Sequence, residues 1–286
     1  MRPALDGGRL AAALSVAGSD SGGNAGVQAD IRAFHAFGVH ACTALAALTA
    51  QNPSGVFGVE AVPPEFVALQ IRTVLPAYAP AAAKTGMLAA EGVVRAVAAC
   101  FRDAGASAPA LVVDPVMVAT SGAKLADGGA ALAMRDALLP LAALATPNVP
   151  EAEVLSGLGR IASKADMEAA ARAIAARAGC AVLVKGGHRA GAEADDFLLD
   201  PASGSAWWLS APVVPSPLST HGTGCSLSAA AAAALARGAG LLEAVTAAKA
   251  WVYGAIRSSV SVGPGAAVLG FADPARFLPD VSVRRA

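Results

Sequence analysis

Thr220-His221-Gly222-Thr223-Gly224-Cys225, running without a break into the alanine-rich stretch Ser226 to Leu235, is a glycine-bearing turn that opens a helix. Two glycines permit backbone conformations that a side chain resists. The first helical turn then presents unpaired N–H groups and the positive end of its dipole. Together these make an anion site, most often for phosphate. Cys225 stands at its mouth, where a thiol is expected to lose its proton readily. The competing reading is a small hydrophobe packed at a tight helix start.

Upstream of this turn, short apolar runs alternate with longer helical stretches. Leu10 to Ala17, Cys42 to Leu48, Ala81 to Met87, Leu111 to Val113, Leu141 to Ala145 and Ala181 to Lys185 are expected strands. Gln28 to Phe37, Pro64 to Leu75, Ala90 to Ala104, Leu132 to Leu139 and Ser163 to Ala178 are expected helices. The last carries a capping box, since Ser163 precedes Asp166 by three residues. Asp196 to Leu199 and Ala206 to Leu209 predict a β-hairpin around Pro201-Ala202-Ser203-Gly204. Two helices, ending near Gly238 and Arg257, follow. This alternation predicts one α/β domain over residues 1–286, with a mostly parallel sheet covered on both faces. Ligands of such sheets bind at the carboxyl ends of the strands. The polar signals gather there: Gly18-Ser19-Asp20, Gln51-Asn52, Asp114, Asn148 with Glu151, Lys185-Gly186-Gly187-His188, and the Gly222 to Cys225 turn.

Composition narrows the function. The chain has 286 residues, 55% of them hydrophobic and 15% charged, with a formal net charge of zero. A large core is available, and no basic surface for nucleic acid is implied. Cys42, Cys100, Cys180 and Cys225 have no metal-type spacing, and a reducing compartment is the default. The apolar run after Arg9 is too short for a signal sequence, and no run reaches transmembrane length. A cytoplasmic protein is expected.

The Gly18 to Gly26 loop lacks the G-x-G-x-x-G order, and no P-loop lysine with a following Ser or Thr appears. It reads either as a substrate contact, through close backbone approach, or as a surface loop. Asp114 ends an apolar strand, and Glu151 lies three residues after Asn148. Such carboxylates suit Mg²⁺ held partly through water, while a first-turn glutamate also suits a helix dipole on its own. Lys185, ending a strand ahead of two glycines, can hold a polyphosphate or simply reach solvent. His188 and His221 are acid–base candidates or loop histidines. The absence of a G-x-S-x-G elbow argues against esterase chemistry.

Taken in order, these segments resemble a known family. They are Ala17-Gly18-Ser19-Asp20, Gly26-Val27-Gln28-Ala29-Asp30, Leu48-Thr49-Ala50-Gln51-Asn52 and Lys84-Thr85-Gly86-Met87-Leu88. Val113-Asp114-Pro115-Val116-Met117, Thr146-Pro147-Asn148 with Glu151, Val184-Lys185-Gly186-Gly187-His188, and the Thr220 to Cys225 turn complete the set. The chain resembles the hydroxymethylpyrimidine/phosphomethylpyrimidine kinases of thiamine biosynthesis, within the ribokinase-like superfamily, whose pyridoxal-kinase branch is near. Ser21 stands where the family commonly has proline and Ser226 where it commonly has threonine, and the 262–266 tail keeps little of the closing motif.

The resemblance implies an ATP-dependent kinase that phosphorylates a hydroxymethyl-aminopyrimidine and then its monophosphate. It implies that Gly18, Gln51, Met87, Val116 and Asp30 meet the pyrimidine. Asn148, Lys185 and Thr223 would serve ATP, and Asp114 and Glu151 would serve Mg²⁺. Gly222, Thr223 and Gly224 would supply an anion hole, with Cys225 as proton acceptor. A homodimer is expected. Segments 22–24 and 119–122 are small and polar, as expected of lids.

Overall fold

Serine and lysine are unusual at the centre of a sheet, and here they sit side by side. Ser15 on the strand Ala12–Asp20 (β1) is in register with Lys84 on Ala82–Thr85, and both are fully buried. Strand alternation sends neighbours in sequence to opposite faces. Leu14 and Val16 of β1 therefore enter one core, while Ala13 enters the other.

The computed structural model describes residues 5–6, 9–117, 128–187, 192–270 and 272–286. In chain order, β1 is followed by α1 (Gly26–Ala36), β2 (His40–Asn52), β3 (Gly55–Ala61), α2 (Pro64–Tyr78), β4 (Ala82–Thr85) and α3 (Glu91–Ala104). Next come β5 (Ala110–Val113), α4 (Gly128–Ala133), β6 (Leu144–Ala145), α5 (Val149–Ser156), α6 (Lys164–Ala178) and β7 (Ala181–Lys185). The antiparallel pair β8 (Glu193–Asp200) and β9 (Ser205–Pro212), then α7 (Thr223–Ala236), α8 (Leu241–Arg257) and β10 (Ser282–Arg285), end the series. Two small hairpins, Leu5–Asp6 with Arg9–Leu10 and Val260–Gly263 with Ala266–Val268, stand outside the main sheet.

The main sheet has ten strands in the order β10-β9-β8-β7-β6-β5-β4-β1-β2-β3. Strands β2, β1, β4, β5, β6 and β7 are parallel, and the strands at either side are antiparallel. One face packs on α2 to α6 through Ile71, Val97, Phe101, Leu138, Met167 and Phe197. The other packs on α1, α7 and α8 through Phe34, Leu183, Leu198, the α7 alanines and Trp251. No helix among the described residues is long and apolar enough to cross a membrane.

Several expected elements take a different form. The strand expected over Leu141 to Ala145 shortens to β6, because Leu139–Leu141, with Pro140 inside it, forms a 3₁₀ turn. The helix expected over Leu132 to Leu139 divides into α4 and a π-helical turn at Met134–Leu138. The Asp196 hairpin is longer than its apolar core and begins at Glu193. Strands β3 and β10 carry no expectation from sequence.

Candidate active site

The carboxyl ends of β1, β2, β5 and β7 and the loops after β4 and β6 open onto one cavity of about 430 Å³. The α7 N-terminus points into it. Gly222, Thr223, Gly224 and Cys225 all line the cavity, and so do Gly18, Gln51, Met87, Asp114, Val116, Asn148, Glu151 and Lys185. Segments distant in sequence thus converge on a single rim.

Gly222 caps α7 with φ 83°, a left-handed conformation suited to glycine. A Cβ there would also run into the Asn24 carbonyl, so the turn lies flush against the β1–α1 loop. That loop is organised by Asp20, which is 3% exposed. Its Oδ1 accepts from the Gly22 amide at 2.7 Å, and Oδ2 accepts from the Asn24 and Ala25 amides at 2.9 and 2.7 Å. His221 Nε2 lies 3.6 Å from Oδ2. Burial works against the Asp20 charge, but contacts with His221, the Ala25 amide, Gln51 and the Gly22 amide hold the carboxyl well below its usual range. Segment 22–24 is therefore tied to Asp20. The other expected lid, 119–122, and His188 lie outside the described residues.

Lys185 leaves β7 over the first turn of α7. Its Nζ donates to Asp114 Oδ1 at 2.8 Å, and Thr146 and Ser228 hydroxyls each lie 3.3 Å from the same carboxylate. Burial opposes a charge on Lys185, yet Asp114 and then Glu151 hold its pKa above the ordinary value. The Lys185 Nζ lies beside Gly224 in the first turn of α7. Asn148 and Glu151 form a reciprocal capping box on α5: Asn148 Oδ1 accepts from the Glu151 amide and Glu151 Oε2 from the Asn148 amide, both at 2.9 Å. Burial pushes Glu151 up to about 7, against the pull of Lys185 and with the repulsion of Asp114.

For a divalent cation, Asp114 and Glu151 offer hard oxygen donors on the cavity wall. No group of three metal-binding side chains occurs among the described residues. That donor set suits Mg²⁺ held by one or two carboxylates, with water and phosphate oxygens completing the shell.

Two expectations change. Asp30 does not line the cavity; it is fully buried behind the wall, where it accepts from Lys84 Nζ at 2.8 and 2.9 Å and from the Ser15 hydroxyl at 2.5 Å. An α1 residue facing β1 and β4 meets Lys84 before it can reach the cavity. Burial opposes the Lys84 charge, but Asp30, then Cys225 and Asp114, hold it protonated. The second change concerns Cys225. Its thiol is pushed up rather than down: burial is the main cause, and Asp114 and Asp30 add to it, outweighing Lys84 and the Gly26 amide. Sequence reasoning places Cys225 at a positive helix end but does not see the two carboxylates nearby. It also missed Lys249 on α8 and the role of Asp196 on β8, which line the same cavity as a buried ion pair. No motif marks them.

The comparisons agree with this architecture. Residues 20–269 match the phosphomethylpyrimidine kinase family model. The hydroxymethylpyrimidine/phosphomethylpyrimidine kinase of Rhizobium meliloti is 44% identical over 257 residues, covering 89% of this chain and 94% of that protein. A solved Staphylococcus aureus pyridoxal kinase, in complex with AMP-PCP and pyridoxal, superposes with a TM-score of 0.85 at 31% identity over 98% of this chain and 100% of its own. The phosphomethylpyrimidine kinase of Clostridium difficile 630 superposes with a TM-score of 0.73 at 34% identity, over 85% of this chain and 98% of its own. Matched by the family model over residues 20–269 and by relatives along most of its length, the chain belongs to the phosphomethylpyrimidine kinase family.

Proposed function

We propose that this chain transfers the γ-phosphoryl group of ATP to the hydroxymethyl group of an aminopyrimidine and then to the resulting monophosphate. The observation that carries the reading is the placement of the α7 N-terminus on the cavity wall shared by Gly18, Gln51 and Met87 and by Lys185. Phosphoryl transfer needs positioning and charge stabilisation above all. The Gly222 to Cys225 amides would take up charge on the migrating group, and the Lys185 ammonium would neutralise phosphate oxygens. Thr223 and Asn148 would contact the nucleotide. Asp114 and Glu151 would hold Mg²⁺, which when bound would neutralise charge on the transferred phosphate.

Gln51, Met87, Val116 and the Gly18 backbone would hold the pyrimidine ring. Cys225 would first give its own proton to solvent and, as the thiolate that Lys84 favours, would accept the substrate proton late, as the oxygen–phosphorus bond forms. A loose transition state permits this order. The protein would act in the cytoplasm as a homodimer. Supplying ATP, Mg²⁺ and hydroxymethyl-aminopyrimidine should give coupled ADP formation, and no turnover under these conditions overturns the reading.

The pyridoxal kinase superposition, over nearly all of both chains, favours one second reading, a pyridoxal kinase on the same scaffold. The ratio of kcat/KM for the two ring substrates separates them. A ratio favouring pyridoxal replaces the first reading with the second.

A further inference from the structure

Asp196 and Lys249 are buried charges on the cavity wall that the chemistry above leaves unused. Lys249, on α8, is 5% exposed and Asp196, on β8, is 4% exposed. Lys249 Nζ donates to Asp196 Oδ2 at 2.6 Å. The other oxygen, Oδ1, accepts from the Gly186 amide at 2.9 Å. Asp196 is also directly opposite Lys185 in the antiparallel β7–β8 register. A Cβ on Gly186 would strike the Asp195 carbonyl, so the turn after β7 is pressed onto β8.

A buried ion pair gains little over apolar residues of the same volume, because both charges lose their water. This one does something an apolar pair cannot. It runs a line of hydrogen bonds from α8, through Lys249 and Asp196, to the amide next to Lys185. A second buried lysine–aspartate pair, Lys84 with Asp30, lies behind the wall; this one lines the cavity together with Gly187.

We infer that Asp196 and Lys249 are positioning residues that fix the Lys185-Gly186-Gly187 turn, so that Lys185 meets the nucleotide's phosphates in one orientation. The inference rests on the reading above, in which Lys185 serves ATP. That reading is tested separately, by ADP formation in the unaltered protein.

The double variant Asp196→Asn/Lys249→Met removes both charges together, so neither is left buried and unpaired. Its KM for ATP should rise on the order of tenfold, as expected when a charge-bearing turn shifts, while the KM for the pyrimidine stays within about twofold. Asp196→Glu keeps the charge but displaces the carboxylate, and should raise the ATP KM in the same direction without lowering the melting temperature. Lys249→Arg, which keeps the cation, should retain more ATP affinity than the double variant. An unchanged ATP KM in either folded Asp196 variant overturns the inference. So does an equal rise in both KM values accompanied by a lower melting temperature, which is the mark of a merely structural pair. If the double variant does not fold, the Asp196→Glu result decides.

Discussion

Cys225 shows how far a single residue's surroundings can reverse an expectation. The helix end and Lys84 favour its thiolate, yet burial with Asp114 and Asp30 nearby pushes the thiol the other way. If the Cys225 thiolate takes the substrate's proton as the bond forms, its removal should cost rate and spare nucleotide binding. Cys225→Ala should lower kcat on the order of 10²-fold while the Kd for ATP, read by calorimetry, hardly moves. Equal activity in that variant removes the proton-acceptor role. Asp20 makes the complementary case. Its native carboxyl titrates below the value of about 4 in an unfolded chain. The unfolded state therefore binds more protons as the solution is acidified, so the stabilisation present above that value is lost as pH falls towards the native pKa. Asp20→Asn should cost about 1–3 kcal/mol at neutral pH, because three loop amides lose a charged acceptor. Urea titrations of the two proteins should converge as pH drops below about 4; a gap that stays constant there contradicts the assignment.

Among the elements, α7 and its cap are the most constrained. Gly222 combines φ 83° with a backbone that lies against Asn24. Gly222→Ala should destabilise the fold by about 1–3 kcal/mol through left-handed strain alone, with added loss from the clash. It should also depress kcat/KM for both substrates, since the cap joins the turn at the head of α7 to the β1–α1 loop. Steady-state kinetics alongside thermal denaturation checks both; a stable variant with normal kinetics shows that the turn can re-form elsewhere. The same scale separates what the chain reveals from what it hides. The helices α1, α3 and α6 and the strands β5 and β7 show themselves by periodicity and by runs of buried residues. β10 does not, because Ser282 to Arg285 are all exposed and join β9 only by backbone pairing. β3 is hidden for a related reason: Phe57 and Val59 are exposed on an edge strand, so no inward-facing alternation records it.

For the whole molecule, the sheet order determines which distant residues meet, and that is the part least visible in one dimension. Asp114, Lys185 and Glu151 could be assigned to one rim because each follows an apolar run. The partnership of Ser15, Asp30 and Lys84 could not, since it depends on β4 pairing beside β1 and α1 crossing that face. This inner pair should dominate the response of global stability to mutation. Lys84→Met leaves Asp30 buried without its cation and should cost about 3–5 kcal/mol, while Lys84→Met/Asp30→Leu should recover most of that loss. Denaturant midpoints of the three proteins settle it, and a double variant no better than the single one would point to a role for the charges beyond mutual neutralisation. The alanine helix gives the architecture a further property. From Ala229 to Ala234, α7 is buried on every side by close-packed neighbours, so it has no room to tilt or recoil when a triphosphate arrives. The electric field at its tip is aimed during folding, so a phosphate bound there as proposed would meet a medium already polarised in its favour, with little reorganisation left to perform.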